Sequence, residues 1–312
     1  MPTRRFLPTT ATALFAWSLL LGVDACERSK LAVRVDSAAG PAGPTEAAVT
    51  GPVAISGWSS SAGPALFVQG ETRTEAIVLL PTNDDSAVLA RLATMGNTAA
   101  EITLFGRGGA LFTAQLGPAP QSGDVECRIW PLRNIHGADN TWAIGFVGAQ
   151  TAALPLDSVD VLSSRDSLAL AAEASRLASA VTATTAPSFQ GLRFTAHDIR
   201  RFEISPGIAA LVAHLTRKVN QEANPQEEQT LLIAERDSGV TTGPYTLAYA
   251  ERTHGLEEST TAPEVIGGVR IAGRPTLVVA RDGDQGVAYA VLERTGPRQW
   301  RIRWTSALTR CG

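Results

Sequence analysis

The chain has the size and composition of a globular protein with little net charge. Its 312 residues are 44% hydrophobic, and 27 lysines and arginines nearly balance 30 aspartates and glutamates, which gives a net charge of −3 at pH 7. A chain of this length buries one large core or two medium ones. Without a basic excess it lacks the electrostatic footprint of a nucleic-acid-binding protein, so we expect no nucleic-acid partner.

The first residues carry the pattern of an export signal. Arg4 and Arg5 form a positive start, and residues 11–23 are an apolar run that is closed by residues 23–26. The run is shorter than the roughly 18 to 20 residues that a spanning helix needs, which favours a cleaved signal peptide over residues 1–25. We therefore expect the folded body to mature outside the cytosol.

The end of this segment, Val23-Asp24-Ala25-Cys26, resembles the lipobox of bacterial lipoproteins. In that motif an aliphatic residue stands three positions before a cysteine and a small residue directly before it, although Asp24 departs from the usual small residue. The resemblance implies that Cys26 becomes the lipidated first residue of the mature chain, anchored to a membrane facing the periplasm or the exterior. The alternative is an ordinary signal-peptidase site. Residues 26–52, rich in glycine and proline, predict a flexible tether.

The remaining cysteines become informative once export is accepted. If Cys26 carries a lipid, Cys127 and Cys311 are left as an even pair in an oxidising compartment. Exposed free thiols are disfavoured there, so we predict a disulfide between them. The alternative is that both are small buried apolar residues.

The sequence pattern of the body of the chain is typical of a mainly β protein. Short apolar runs separated by turn residues are typical of antiparallel sandwiches and barrels. We predict an N-terminal β-rich domain over residues 53–160, a helix and hinge over 161–187, and a C-terminal β-rich domain over 188–312. The fold class is therefore two antiparallel β-rich portions, sandwich or barrel-like, joined by one α-helix.

The helix is predicted over residues 164–181. Ser164 or Asp166 can cap its start. Its apolar residues fall on one stripe, which consists of Leu170, Ala174, Leu177 and Ala178. Residues 86–95 and 209–219 fit either a helix or a strand.

The last strand, over residues 299–305, alternates apolar and polar side chains. Alternate residues of a strand point to the same side of a sheet. We therefore predict that Trp300, Ile302 and Trp304 share one buried face.

Three strands of the second half end in a glutamate followed by an arginine. The glutamates are Glu235, Glu251 and Glu293. If the three strand ends met, their carboxylates would suit acid–base catalysis or a hard cation. Consecutive antiparallel strands point in opposite directions, which favours instead separate, solvated strand ends that carry cross-strand ion pairs.

Metal-ligand patterns are weak. Asp282 and Asp284 alternate oxygen donors as a calcium loop does, but the later bidentate glutamate is missing and a hairpin turn fits better. The four histidines do not have the spacing of a zinc motif, as His136, His197, His214 and His254 lie far apart. We predict neither a metal nor another cofactor.

Arginine supplies nearly all of the positive charge, since Lys30 and Lys218 are the only lysines. This bias suits a surface that reads phosphate groups. It also follows from the codon usage of a GC-rich genome, which is the simpler explanation.

Together these patterns favour an exported envelope lipoprotein that acts as a non-enzymatic binding or structural module for an unknown protein or glycan ligand. Tryptophans would suit such a ligand if they are exposed and would fill the core if they are buried. The candidates are Trp58, Trp130, Trp142, Trp300 and Trp304. The alternative is a periplasmic hydrolase with Glu235, Glu251 and Glu293 in a groove between the β portions. Carboxylates gathered in a concave pocket would favour the hydrolase, and separated ones the binding module.

Overall fold

The computed structural model describes residues 66–82, 85–120, 127–137, 141–147, 150–181, 186–219, 224–237 and 243–311. The expected signal peptide, Cys26, the tether and Trp58 lie outside the described residues. Within these ranges the protein is mainly β and its strands pair in antiparallel fashion, as predicted. The strands form one barrel and two open sheets.

Six strands close into a barrel in the order β1-β2-β5-β4-β3-β6. They are β1 (Leu66–Gln69), β2 (Glu75–Leu79), β3 (Glu101–Phe105), β4 (Leu111–Leu116), β5 (Ile129–His136) and β6 (Ile144–Val147). Helix α1 (Ser86–Asn97) follows β2, so the ambiguous residues 86–95 are helical. Its Leu92 is buried in the barrel core beside Trp130 and Trp142. The Asp85 carboxylate caps the helix by accepting from the Val88 backbone N–H.

The other strands form two five-stranded sheets. They are β7 (Thr151–Ala153), β8 (Asp157–Ser158), β9 (Thr195–Ser205), β10 (Ile208–Val219), β11 (Gln226–Asp237), β12 (Thr246–Leu256), β13 (Ala262–Ile271), β14 (Arg274–Gly283), β15 (Gly286–Gly296) and β16 (Gln299–Thr305). We call β16-β15-β14-β13-β7 the barrel-side sheet and β12-β11-β10-β9-β8 the helix-side sheet. The ambiguous residues 209–219 belong to strand β10. The segment that follows the barrel supplies one edge strand to each sheet.

The layers stack in the order barrel, barrel-side sheet, helix-side sheet and helix α2 (Ser164–Ala180). Val278 of the barrel-side sheet belongs to the same apolar cluster as Phe146 of the barrel, while its neighbour Leu277 belongs to a second cluster with Ile233 of the helix-side sheet. Leu177 of α2 covers the outer face of the helix-side sheet. The barrel-side sheet is therefore covered on both faces, because its strands β13 to β16 have buried apolar residues on both sides.

Helix α2 begins as predicted at Ser164, but its cap is one residue earlier. The Ser163 hydroxyl accepts a hydrogen bond from the Asp166 backbone N–H at 3.3 Å and donates to the Asp166 carboxylate at 2.9 Å. The prediction of Ser164 or Asp166 as the cap was wrong. The predicted apolar stripe is confirmed, since Ala174, Leu177 and Ala178 are buried.

The predicted common face of Trp300, Ile302 and Trp304 was wrong. Strand β16 pairs Trp304 with Val291 and Ile302 with Leu292, so one residue of β16 is extra at this point. Such a bulge moves the following side chain to the other face of the sheet. Trp304 packs with the barrel, Trp300 lies between the two sheets, and Ile302 is 44% exposed.

The predicted disulfide between Cys127 and Cys311 is present. The two Cα atoms are 5.0 Å apart, and 184 positions of sequence separate the cysteines. The bond joins the segment before β5 of the barrel to the segment after β16. Neither of the helices in the described part of the chain is long and apolar enough to cross a membrane.

Candidate functional site

Glu235 is enclosed between the two open sheets. Only 2% of it is exposed, and its carboxylate accepts four hydrogen bonds. Arg294 donates twice at 2.9 Å, the Trp300 indole N–H donates at 2.7 Å, and the Arg298 backbone N–H donates at 3.0 Å. The carboxylate joins the two sheets and has little capacity left to accept a substrate proton. The predicted solvated strand end with a cross-strand ion pair was wrong for Glu235.

The other two candidate carboxylates are also held by arginine. Glu251 accepts from Arg281 at 2.6 and 3.1 Å and from the Tyr249 hydroxyl. Burial and the hydrogen bond to Glu251 raise the pKa of Tyr249 well above its usual value. Glu293 accepts from Arg274 at 3.0 Å and lies 3.6 Å from Arg303. Each carboxylate thus belongs to its own ion pair.

The three carboxylates do not meet. Glu251 lies opposite Leu231 of β11, four positions from Glu235, which corresponds to roughly 13 Å along the strand. Glu293 belongs to the other sheet and shares the barrel-side face with Val291. They therefore form no common pocket between the two β portions.

Asp282 and Asp284 belong to the hairpin that joins β14 to β15. Asp282 pairs with Val287 and Gly283 with Gly286, as the turn prediction requires, and both aspartates are exposed. Among the described residues, no group of three or more histidine, cysteine, aspartate or glutamate side chains could hold a metal ion.

Four of the tryptophans that could have offered an exposed surface are buried. Trp130, Trp142, Trp300 and Trp304 are each at most 6% exposed. They fill the barrel core and the spaces on either side of the barrel-side sheet. These four side chains offer no aromatic platform for a glycan.

A concave feature with convergent polar groups, an open groove of about 750 Å³, lies beside α2. One wall is the last two turns of α2, another is residues 190–194, and the outer face of the helix-side sheet contributes the rest. Its volume falls within the range of small-molecule sites. Four arginines and one phenylalanine characterise the lining, namely Arg176, Arg193, Arg217, Arg252 and Phe194. We call it the arginine groove.

Two of these arginines come from strands on either side of β11. Arg217 of β10 lies opposite Glu228, and Arg252 of β12 lies opposite Thr230. Both project to the same outer face as Glu228 because strand side chains alternate. The Glu228 side chain is fully buried; it accepts from Arg217 Nε at 2.8 Å and lies 3.7 Å from Arg252 Nε.

Phe194 orders both buried guanidinium groups. The guanidinium carbon of Arg217 is 4.6 Å from the ring centroid of Phe194, and that of Arg252 is 5.5 Å away. These are cation–π distances. Arg252 also donates to the Ala178 carbonyl near the end of α2. The side chain of Arg252 thereby connects strand β12 to the C-terminal end of α2.

The electrostatic balance of the arginine groove is positive. Two buried guanidinium groups share the single carboxylate of Glu228. Burial lowers the pKa of Arg252, the positive charge of Arg217 lowers it further, and Glu228 opposes both effects. Arg176 is paired with Glu173 at 2.8 Å, whereas Arg193 is exposed and makes no ion pair within the described ranges.

Sequence reasoning missed this groove. Its residues come from α2, residues 190–194, β10 and β12, so no local motif signals it. The related feature of the sequence is its excess of arginine over lysine. That excess does not show where in the fold the arginines come together. No protein-family model, no curated protein and no solved structure matches the chain.

Proposed function

We propose that this protein is an exported, lipid-anchored envelope protein whose folded body is a non-enzymatic binding module. The arginine groove is the proposed ligand site. The observation that carries the proposal is a cavity of about 750 Å³ in which apolar and charged side chains converge. Such a combination is typical of sites that hold a small organic molecule.

Three features support the export part of the proposal. The first residues have the order of an export signal, and Val23-Asp24-Ala25-Cys26 resembles a lipobox. The disulfide between Cys127 and Cys311 is a bond that persists in oxidising compartments.

The state of the carboxylates favours binding over hydrolysis. A general base must accept a proton from a substrate or a water molecule. Glu235, Glu251 and Glu293 are each held by at least one arginine and do not share a pocket. The groove, in contrast, is open, and two of its four arginines, Arg176 and Arg193, are exposed.

Intact-mass measurement of the membrane-extracted protein tests the anchor. We expect loss of residues 1–25, the added mass of a diacylglyceryl group on Cys26, and two hydrogens fewer than the reduced form. Replacing Cys26→Ser is expected to abolish the lipid adduct. A soluble protein that begins at Met1 and carries free thiols would overturn the export and anchor proposal.

Blocking the groove with a large side chain tests whether the ligand binds there. Ser179→Trp places a large side chain at an exposed position that lines the groove, while Ala180→Trp places it on the next, equally exposed residue outside the lining. The mature protein is screened with a library of fluorinated fragments by ligand-observed NMR. We expect hits for wild type and Ala180→Trp that Ser179→Trp loses. Hits that survive Ser179→Trp would show that the groove is not the binding site.

A further inference from the structure

The charge of the arginine groove points to an anionic ligand. We propose that the groove binds a phosphate monoester dianion carried on an apolar or aromatic body. This inference rests on the proposed function, because it names the ligand class of the same site.

Arginine outnumbers carboxylate in the groove. The groove presents Arg176, Arg193, Arg217 and Arg252, which form ion pairs with Glu173 and Glu228. Among these six side chains the positive charges outnumber the negative ones by two. The negative end of the α2 dipole offsets part of the charge on Arg252, which donates to the Ala178 carbonyl. A phosphate monoester carries about −1.5 to −2 near neutral pH and matches the remainder.

The buried guanidinium group of Arg217 is imperfectly paired. Its Nη2 lies 2.8 Å from the same Glu228 oxygen that accepts from its Nε, but it makes no well-aligned hydrogen bond in the described part of the chain. The side chain of Arg217 is only 6% exposed. Nε of Arg201 and of Arg236, outside the groove lining, is likewise buried without a hydrogen-bond partner among the described residues. The exposed guanidinium group of Arg193 supplies the donors that an anion can reach from solvent.

The arginines of the groove suit a phosphate group better than a simple point charge. Arginine presents its donors in a planar fork that matches the oxygens of phosphate and binds them in pairs. Stacking on Phe194 holds two of these forks in place before a ligand arrives. Pre-ordered donors bind more tightly because less side-chain entropy is lost.

The groove also has apolar surface, which the body that carries the phosphate can cover. Phe194 is half-buried and Leu192 is 37% exposed, and both line the groove. The cavity is several times larger than one phosphate group and has apolar wall to cover. An organic group attached to the phosphate would bury this surface and add to affinity.

Isothermal titration calorimetry of the mature protein tests the inference. The probes are phenyl phosphate, inorganic phosphate, benzoate and phenol. We expect phenyl phosphate to bind more tightly than inorganic phosphate or benzoate, and phenol not to bind. Short-chain phosphatidic acid, used as a monomer, distinguishes a lipid headgroup from a soluble monoester: tighter binding than phenyl phosphate assigns the lipid source, and weaker binding assigns the soluble source.

The key variant is Arg193→Gln, because Arg193 is exposed and its loss leaves no buried partner behind. We expect its affinity for phenyl phosphate to fall roughly tenfold, the effect of one charge-assisted hydrogen bond. The matched control is Arg133→Gln, an exposed arginine on the barrel, which two sheets separate from the groove. Equal affinity in the two variants would overturn the inference.

The failure of this inference can be separated from failure of the proposed function. If neutral or cationic aromatic fragments bind and Ser179→Trp removes them while phenyl phosphate does not bind, the ligand class is wrong and the binding site stands. If no probe binds in the groove, both are overturned. Circular dichroism and urea unfolding confirm that each variant is folded.

Discussion

At the scale of single residues, arginine neutralises the buried carboxylates that looked most like catalytic groups. Glu235, Glu251 and Glu293 each lie within 3.0 Å of an arginine nitrogen. The planar fork of a guanidinium group can donate to both oxygens of a carboxylate at once, as Arg294 does to Glu235 and Arg281 does to Glu251. The repeated glutamate in the sequence is therefore a structural feature of the sheets.

Removing the Glu235 carboxylate is expected to destabilise the fold strongly. In Glu235→Ala, Arg294 stays buried without its carboxylate, and breaking a buried pair in this way costs about 3–5 kcal/mol. Urea unfolding measures the change. The control is Glu257→Ala, which breaks the exposed pair with Lys218 and is expected to cost under about 1 kcal/mol. Equal losses in the two variants would contradict the structural role of Glu235.

His214 is expected to make stability depend on pH. Burial lowers its pKa, and the nearby ring of His197 lowers it further, while Gln229 opposes the shift. As the pH falls below about 6.5, the unfolded state binds a proton that the folded state disfavours. The free energy of unfolding should therefore decrease with acid, by at most about 1.4 kcal/mol per pH unit for this one group.

The measurement is urea unfolding at about pH 7.5 and pH 5.5, on either side of the ordinary histidine value. His214→Gln should lose less stability between these two conditions than the wild type does. His136→Gln replaces an exposed histidine on the barrel and serves as the control. An unchanged pH dependence in His214→Gln would exclude this histidine as the cause.

At the scale of elements, periodicity in the sequence predicted what kind of element forms, and tertiary contacts decided the details. The stripe of α2 and the hairpin at Asp282 followed from local patterns. The bulge in β16 did not, because one unpaired residue sends Trp304 to the other face and leaves no local signal. The apolar side chain remains buried because the barrel-side sheet has a core on each face.

The cap of α2 offers a test at this scale. Ser163→Ala removes the hydroxyl that accepts from the Asp166 backbone N–H, which should lower the free energy of unfolding by about 1 kcal/mol. Ser164→Ala replaces the neighbouring serine, the first helical residue, and is expected to change stability by under about 0.5 kcal/mol. Both are measured by urea unfolding. A larger loss in Ser164→Ala would place the cap where the sequence alone had suggested it.

At the scale of the whole molecule, the groove arises only when distant segments meet. Arg193 and Arg252 lie far apart in the sequence and belong to a loop and a strand, yet both line the same cavity. The strand order of the helix-side sheet puts β10 and β12 on either side of β11. A sequence pattern can indicate each strand, but it does not specify which strands are neighbours, and so it could not place this site.

The disulfide is expected to stabilise the molecule as a whole. Cys127 is part of the apolar cluster shared by the barrel and the barrel-side sheet, and its bond to Cys311 spans 184 positions. Closing so long a loop restricts the unfolded chain, so Cys127→Ser with Cys311→Ser should lower the free energy of unfolding by about 2–5 kcal/mol. Urea unfolding measures this, and wild type in a reducing agent should match the double variant. Because the shared cluster remains, we expect a single transition; equal midpoints for oxidised and reduced protein would mean that the bond adds no stability.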